Sequence, residues 1–173
     1  MTSGDALSSA ADPRRQKPGR GEQDVPGVLA PPPVLYIASL GIGFVLEALL
    51  PSASLPAGVR WPLGGVLLGG GLILVAAFFS AFRNAGTPVD TRKPTATIVT
   101  TGPYRFTRNP GYLSLALIYC GIAVLTNALW AFVPLVLTLI LVDRAVIRRE
   151  ERYLGRKFGD EYDHYKASTR RWI

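Results

Sequence analysis

The sequence predicts an all-α integral membrane protein with four transmembrane helices. Two observations carry that prediction. Apolar residues gather into blocks separated by polar segments rich in proline and glycine. The 19 Lys and Arg residues alternate in density: four precede the first block, one lies in 52–61, five in 83–109, none at 126–127 and nine after the fourth block. Cytoplasmic connections carry the excess of positive charge, so both termini and the long loop are assigned to the cytoplasm, with Trp61 and Trp130 at the outer interface.

The net charge of +7 follows from this clustering. It is not interleaved with any RNA-binding or helix-turn-helix pattern, so nucleic acid is not an expected partner; the bilayer is. Cys120, the single cysteine, sits in an apolar block, which excludes an intrachain disulfide and a cysteine metal cluster. His164 is the single histidine and lacks the spacing of a zinc site or a Ser-His-Asp triad, so no metal is expected.

Residues 1–33 are rich in Pro, Gly, Ser and mixed charge and are expected to be a disordered cytoplasmic tail. The first apolar run follows too late, and without a small-residue cleavage site, for a removable leader; it is an uncleaved anchor. Residues 34–173 then form one transmembrane domain, with spans at about 34–50, 62–82, 110–125 and 128–142 and a cytoplasmic helix at 143–165. Pro51 closes the first span, and Glu47 near its end either snorkels to the interface or pairs helices. Gly65 and Gly69 share one face of the second span beside Gly70 and Gly71, which allows a neighbouring helix to approach closely; Gly41 and Gly43 are candidate partners. Neither set follows a strand, so no dinucleotide site is read from them. The polar first half of the 83–109 loop is either a lid or a connector. Thr126-Asn127 is a tight hairpin turn, and Pro134 is expected to kink the fourth span.

The stretch 100–113, TTGPYRFTRNPGYL, stands apart. Gly102-Pro103 marks a turn, and Asn109-Pro110 marks a helix start in which Asn caps free N–H groups and Pro is preset for the first turn. The positive helix end, with Arg105 and Arg108 beside it, can hold an anionic group, and Tyr104, Phe106 and Tyr112 offer flat surface for a ring. These residues fit a small-molecule site at the membrane surface, or a plain cytoplasmic loop with positive-inside arginines.

On the last helix Asp143, Ile147, Glu150 and Leu154 share one stripe, and Arg144, Arg148 and Glu151 the next. Glu150 among apolar neighbours needs a cation or donors, from a ligand or from an arginine of the loop. Glu151 reads as a surface ion pair with Arg148. A break is expected near Gly155 or Gly159. Phe158, Tyr162 and Tyr165 recur at helical spacing, either lining an adenine or lipid pocket or packing helices.

GPYRFTRNPGYL, followed one helical hairpin later by REERYLGRKFGDEYDHY, resembles the isoprenylcysteine carboxyl methyltransferase-like family and its phospholipid methyltransferase relatives, from Arg92 onward. The resemblance implies an integral-membrane enzyme that binds S-adenosylmethionine without a soluble Rossmann fold, the cytoplasmic loop and C-terminal helix forming the cofactor site. Gly102, Pro103, Tyr104, Arg108, Pro110 and Tyr112 match the first motif; Glu150 and Glu151 match the second. Arg108 and Glu150 are thereby the expected catalytic residues. Asn109 stands where the family pattern has histidine; it can cap the helix and hydrogen-bond the cofactor but cannot act as a base.

The implied function is methyl transfer to a lipophilic or small acceptor. A carboxylate or thiolate is preferred, because an amine must first lose a proton and the sequence offers no evident base. The alternatives are a sterol-reductase-like membrane oxidoreductase using NADPH, or a non-catalytic protein binding a membrane lipid or partner. Frequent Arg, Ala, Gly and Leu fit a GC-rich bacterial source, hence an inner-membrane location.

Overall fold

The computed structural model describes residues 31–86 and 98–173. Most of the expected disordered tail, and most of the part of the long loop expected to be a lid or connector, lie outside the described residues; Arg83 and Asn84 of that part belong to α2. Every regular element among the described residues is helical: α1 Pro32–Leu49, α2 Ala57–Asn84, a 3-10 turn Gly102–Arg105, α3 Pro110–Leu125, a 3-10 turn Leu129–Ala131, α4 Phe132–Leu141, a π-helical turn Val142–Ile147, α5 Arg148–Phe158 and α6 Asp160–Ser168. Proline stands in the first turn of α1 and α3, where its fixed φ suits the helix and its missing N–H costs nothing, and Pro56 immediately precedes α2.

Three helical stretches are long and apolar enough to cross a membrane: Pro32–Leu49, Ala57–Asn84 and Leu129–Phe158. The last runs without interruption from the second 3-10 turn through α4, the π turn and α5. Only its first part, residues 129–142, is free of charged side chains; from Asp143 onward arginines and carboxylates dominate. α3 is apolar but shorter, at 16 residues. The apolar window of α2 is only 11% buried, and Val66, Ile73, Ile37 and Leu137 face outward, a surface that suits lipid and not water. The chain is a membrane protein.

Small residues set the helix contacts, but only some of the expected glycines take part. A Cβ on Gly65, Gly69 or Gly70 would meet nothing within 4 Å, so these face outward. The close approach is made by Gly64 and Gly71 of α2, against Leu125 and Ile118, and by Gly121 of α3, where a Cβ would lie 2.5 Å from the Leu68 nitrogen. Gly43 of α1 packs on Ala131, not on α2, and Gly41 packs on nothing. Helix faces in a bundle are chosen by which neighbour is present, and the glycines at 64, 65, 69, 70 and 71 leave the phase open.

The core lies where α1, α3 and α4 meet, around Tyr36, Tyr119, Ala123, Ala131, Leu135 and Val142. Its polar atoms are paired: the Tyr119 hydroxyl donates to the Ala131 carbonyl (2.7 Å) and lies 3.3 Å from the Ser39 hydroxyl. At one end of the bundle Asn127, with φ +57, turns the α3–α4 hairpin, and its side-chain oxygen accepts from Leu55 N at 2.7 Å. Glu47 there accepts from Ser52 N (2.6 Å), Ser52 Oγ (2.7 Å) and Trp130 N (3.2 Å), so it pairs elements instead of snorkelling. Pro134 is buried in the first turn of α4, where it interrupts no interior hydrogen bond; the irregular turn comes later, at Val142–Ile147.

Candidate functional site

The opposite end of the bundle collects the two sequence motifs. After residue 98 the chain runs back along α2: Val99 is buried, and Gly102, with φ +61, turns it into the 3-10 helix. Only glycine takes that turn without strain. The Tyr104 ring then packs against Phe82 (5.9 Å between centroids) and Phe78 (6.3 Å) of α2, while Gly111 lies against Phe78. Tyr104 is therefore part of an aromatic wall that the sequence reading missed. Its carbonyl accepts from the Tyr165 hydroxyl at 2.8 Å. Burial, then Tyr165 and Glu150, push the Tyr104 hydroxyl well above the ordinary tyrosine range.

Residues 107–109 run alongside the C-terminal segment. Thr107 and Arg170 form a parallel bridge, Arg108 N donates to the Arg170 carbonyl (2.9 Å), and Asn109 Nδ2 donates to the Arg171 carbonyl (2.9 Å). Asn109 does stand at the N-cap position before Pro110, but its side chain makes no cap hydrogen bond. The tail carbonyl has claimed it. Phe106, expected as a ring platform, is 78% exposed. It borders a surface groove of about 390 Å³ that also includes Arg105, Leu113, Trp172 and Ile173.

The two carboxylates have different partners. Glu150 Oε1 accepts from the Tyr112 hydroxyl at 2.7 Å, which ties α5 to the first turn of α3. Burial pushes the Glu150 carboxyl from its ordinary 4.5 to about 7, against the lowering effect of that hydrogen bond. Glu151 is equally inside: its side chain is only 10% exposed, whereas Arg148, its expected partner, is 56% exposed and pairs with Asp143 at 3.4 Å. Glu151 instead accepts from Arg171 Nη2 (2.7 Å) and Nε (3.1 Å) and meets Arg108 Nη2 at 3.4 Å. The expected outward position of Glu151 fails because the C-terminal tail covers that face of α5 and brings Arg171 onto the carboxylate, with Arg108 beside it.

At this end of the bundle Arg108 is left incomplete, while the Nε of Arg60 is a further buried donor without a hydrogen-bond partner among the described residues. The Arg108 side chain is 10% exposed, and its Nε and Nη1 are buried with no hydrogen-bond partner. Buried donors without partners are rare because each forfeits its hydration. Tyr162 is buried, which pushes its hydroxyl to about 12, with Glu151 raising it further and Arg108 and Arg171 pulling it down. Gly159, with φ +53, is the break between α5 and α6, and Gly155 stays inside α5; on α6 the Tyr162 and Tyr165 rings, one turn apart, lie 6.3 Å apart between centroids. Among the described residues no group of three or more His, Cys, Asp or Glu is arranged to hold a metal ion.

Thus Tyr112 and Glu150 come together, as do Arg108, Asn109 and Glu151 with the tail, whereas Gly102, Pro103 and Tyr104 form the turn on the α2 side. An uncharacterised protein of Haemophilus influenzae is 39% identical over 62 residues, 36% of this chain and 98% of that protein. The cobalt-zinc-cadmium resistance protein CzcN of Cupriavidus metallidurans is 37% identical over 73 residues, 42% of this chain but only 33% of that protein. No solved structure matches the chain. The family model of the phospholipid methyltransferases matches residues 59–161, more than half of the chain and inclusive of Arg108 and both glutamates, and the chain belongs to that family.

Proposed function

We propose that the protein is an integral-membrane methyltransferase of the isoprenylcysteine carboxyl methyltransferase-like kind, using S-adenosylmethionine and acting on a lipophilic or small acceptor. The observation that carries this reading is Arg108: a buried guanidinium with two unpartnered donors, beside two carboxylates and a set of tyrosines. That set fits the cofactor. Its amino-acid carboxylate suits the free donors of Arg108, its cationic sulfur suits Glu150, and its base suits the tyrosine surfaces. The sulfonium supplies the methyl group; the protein aligns acceptor and methyl and excludes water. Gly102, Pro103, Tyr104, Asn109, Pro110, Tyr112 and Glu151 shape the rest of the site.

α3 is the fourth span in this reading. It is short, about 24 Å at 1.5 Å per residue, but it is apolar and packs along α2 through Gly64, Gly71 and Gly121. Both termini and the site are then cytoplasmic, in a bacterial inner membrane. Carboxylate or thiolate acceptors need no base. Glu150 opens a second reading, an amine acceptor, because a carboxyl titrating near 7 can take the proton that an amine must lose.

Binding of labelled S-adenosylmethionine to the detergent-solubilised protein tests the proposal. Arg108→Ala and Tyr104→Ala are expected to weaken it without unfolding the chain, and unchanged affinity in both would place the site elsewhere. Comparing lipid extracts of cells with and without the gene identifies the methylated product. A reporter fused after Ile173 that is active only outside the cytoplasm would overturn the topology.

A further inference from the structure

Residues 169–172 lie beyond the stretch that matches the family, and nothing in their sequence marks them as functional. Yet Arg171 holds the position that decides what Arg108 can do. Two guanidiniums compete for one buried carboxylate, and Arg171 takes both oxygens of Glu151, at 3.1 and 2.7 Å, leaving Arg108 a single 3.4 Å contact. A fork-to-fork pair of this kind is stronger and more directional than a one-point contact.

Arg171 prevails because its backbone is fixed on one side and its neighbour on the other. Its carbonyl accepts from Thr107 Oγ1 (3.2 Å) and Asn109 Nδ2 (2.9 Å), and the preceding carbonyl accepts from Arg108 N (2.9 Å). Trp172 packs against the core and donates through Nε1 to Asp143 at 3.4 Å, the same oxygen that Arg171 Nη1 meets at 3.4 Å. The tail is thus ordered before its guanidinium pairs, so little freedom is lost in pairing. Asn109, which cannot serve as a base, has this positional task.

We infer that Arg171 is a positioning residue: by occupying Glu151 it keeps Arg108 Nε and Nη1 open for an anionic group of the ligand. This rests on the proposed reading of Arg108 as the anion-binding group. Without Arg171, the buried Glu151 has lost its main donors, and Arg108 stands next to it with two to spare. Arg108 then turns into a fork pair with Glu151 and closes its own site.

The test is S-adenosylmethionine titration of the full chain in detergent, with the thermal midpoint of each variant recorded. Arg171→Gln is expected to weaken binding at least tenfold, and Arg171→Lys to recover part of the loss, since one ammonium cannot match both oxygens. The discriminating variant is Arg171→Gln with Glu151→Gln. With the competing carboxylate neutralised, Arg108 is released, and the double variant binds more tightly than Arg171→Gln alone. A purely structural tail gives the opposite order. Arginine side-chain NMR adds a readout that needs no cofactor: the Arg108 Nε–H resonance, identified by its loss in Arg108→Lys, must shift in Arg171→Gln as it joins Glu151. Unchanged affinity in Arg171→Gln, a double variant no better than the single one, or an unmoved Arg108 resonance overturns the inference. Absence of S-adenosylmethionine binding by the unmodified protein sinks the reading of the site instead, and the NMR shift alone then decides the role of Arg171.

Discussion

The two ends of the bundle each hold a carboxylate between helices, and they use it differently. Glu47, at the hairpin end, is partly exposed and has both oxygens occupied, by Ser52 and by Trp130 N, joining the end of α1 to the start of the α4 stretch. At the other end Glu150, Glu151 and Arg108 are shielded from solvent, and two Arg108 donors are left without partners. A carboxylate that only fastens helices has its hydrogen bonds complete. An ordered, buried cluster with unsatisfied donors has room for a ligand to complete it.

The largest effect expected from breaking this contrast is on stability. Glu151→Gln leaves Arg171 and Arg108 buried against a weakened acceptor and should cost about 2 kcal/mol, seen as a fall of several degrees in the thermal midpoint. Glu150→Gln should do the reverse. It removes a charge that faces a single tyrosine, so stability changes little, while S-adenosylmethionine affinity drops at least tenfold. Equal affinity losses in the two variants would mean that the paired glutamates act as one unit.

pH sharpens the same contrast. The Glu150 carboxyl is raised from 4.5 to about 7, so its contribution to stability is fully present below about 4.5 and is lost as pH rises through about 7. Cofactor affinity has the opposite sign. A cation favours the ionised carboxylate, so binding should strengthen as pH rises through about 7, and Glu150→Gln should flatten both trends. The smallest effect belongs to the hairpin end. Glu47→Gln should lower the thermal midpoint less than Glu151→Gln and leave affinity unchanged; a loss of binding there would erase the distinction between the two ends.

Much of this was legible in the chain. Apolar blocks and the placement of Lys and Arg gave the helical membrane character, Asn109-Pro110 marked where α3 begins, and the resemblance at 102–112 and 150–151 led to the family. What escaped has physical causes. Spacing within one helix cannot show what covers it, and Glu151 is enclosed by Arg171, 20 residues further along the chain. Of the glycines named on the second span Gly71 makes a close contact and Gly65, Gly69 and Gly70 make none, while Gly64 makes one, because glycines on several faces cannot reveal which face meets a neighbour. The packing of Tyr104 on Phe78 and Phe82 joins residues far apart in sequence, and the pairing of Thr107 with Arg170 is a single bridge that leaves no periodic trace.

The central claim is that the unsatisfied Arg108 donors, among Glu150, Glu151 and the tyrosines, are the binding site of S-adenosylmethionine. Calorimetric titration of the unmodified protein and of Arg108→Ala in the same detergent tests it most directly. Saturable binding by the unmodified protein, weakened about 10- to 100-fold in Arg108→Ala as expected for one charge-assisted pair and with the thermal midpoint retained, is the predicted result. Equal affinity in the two proteins, or no binding by either, would contradict it.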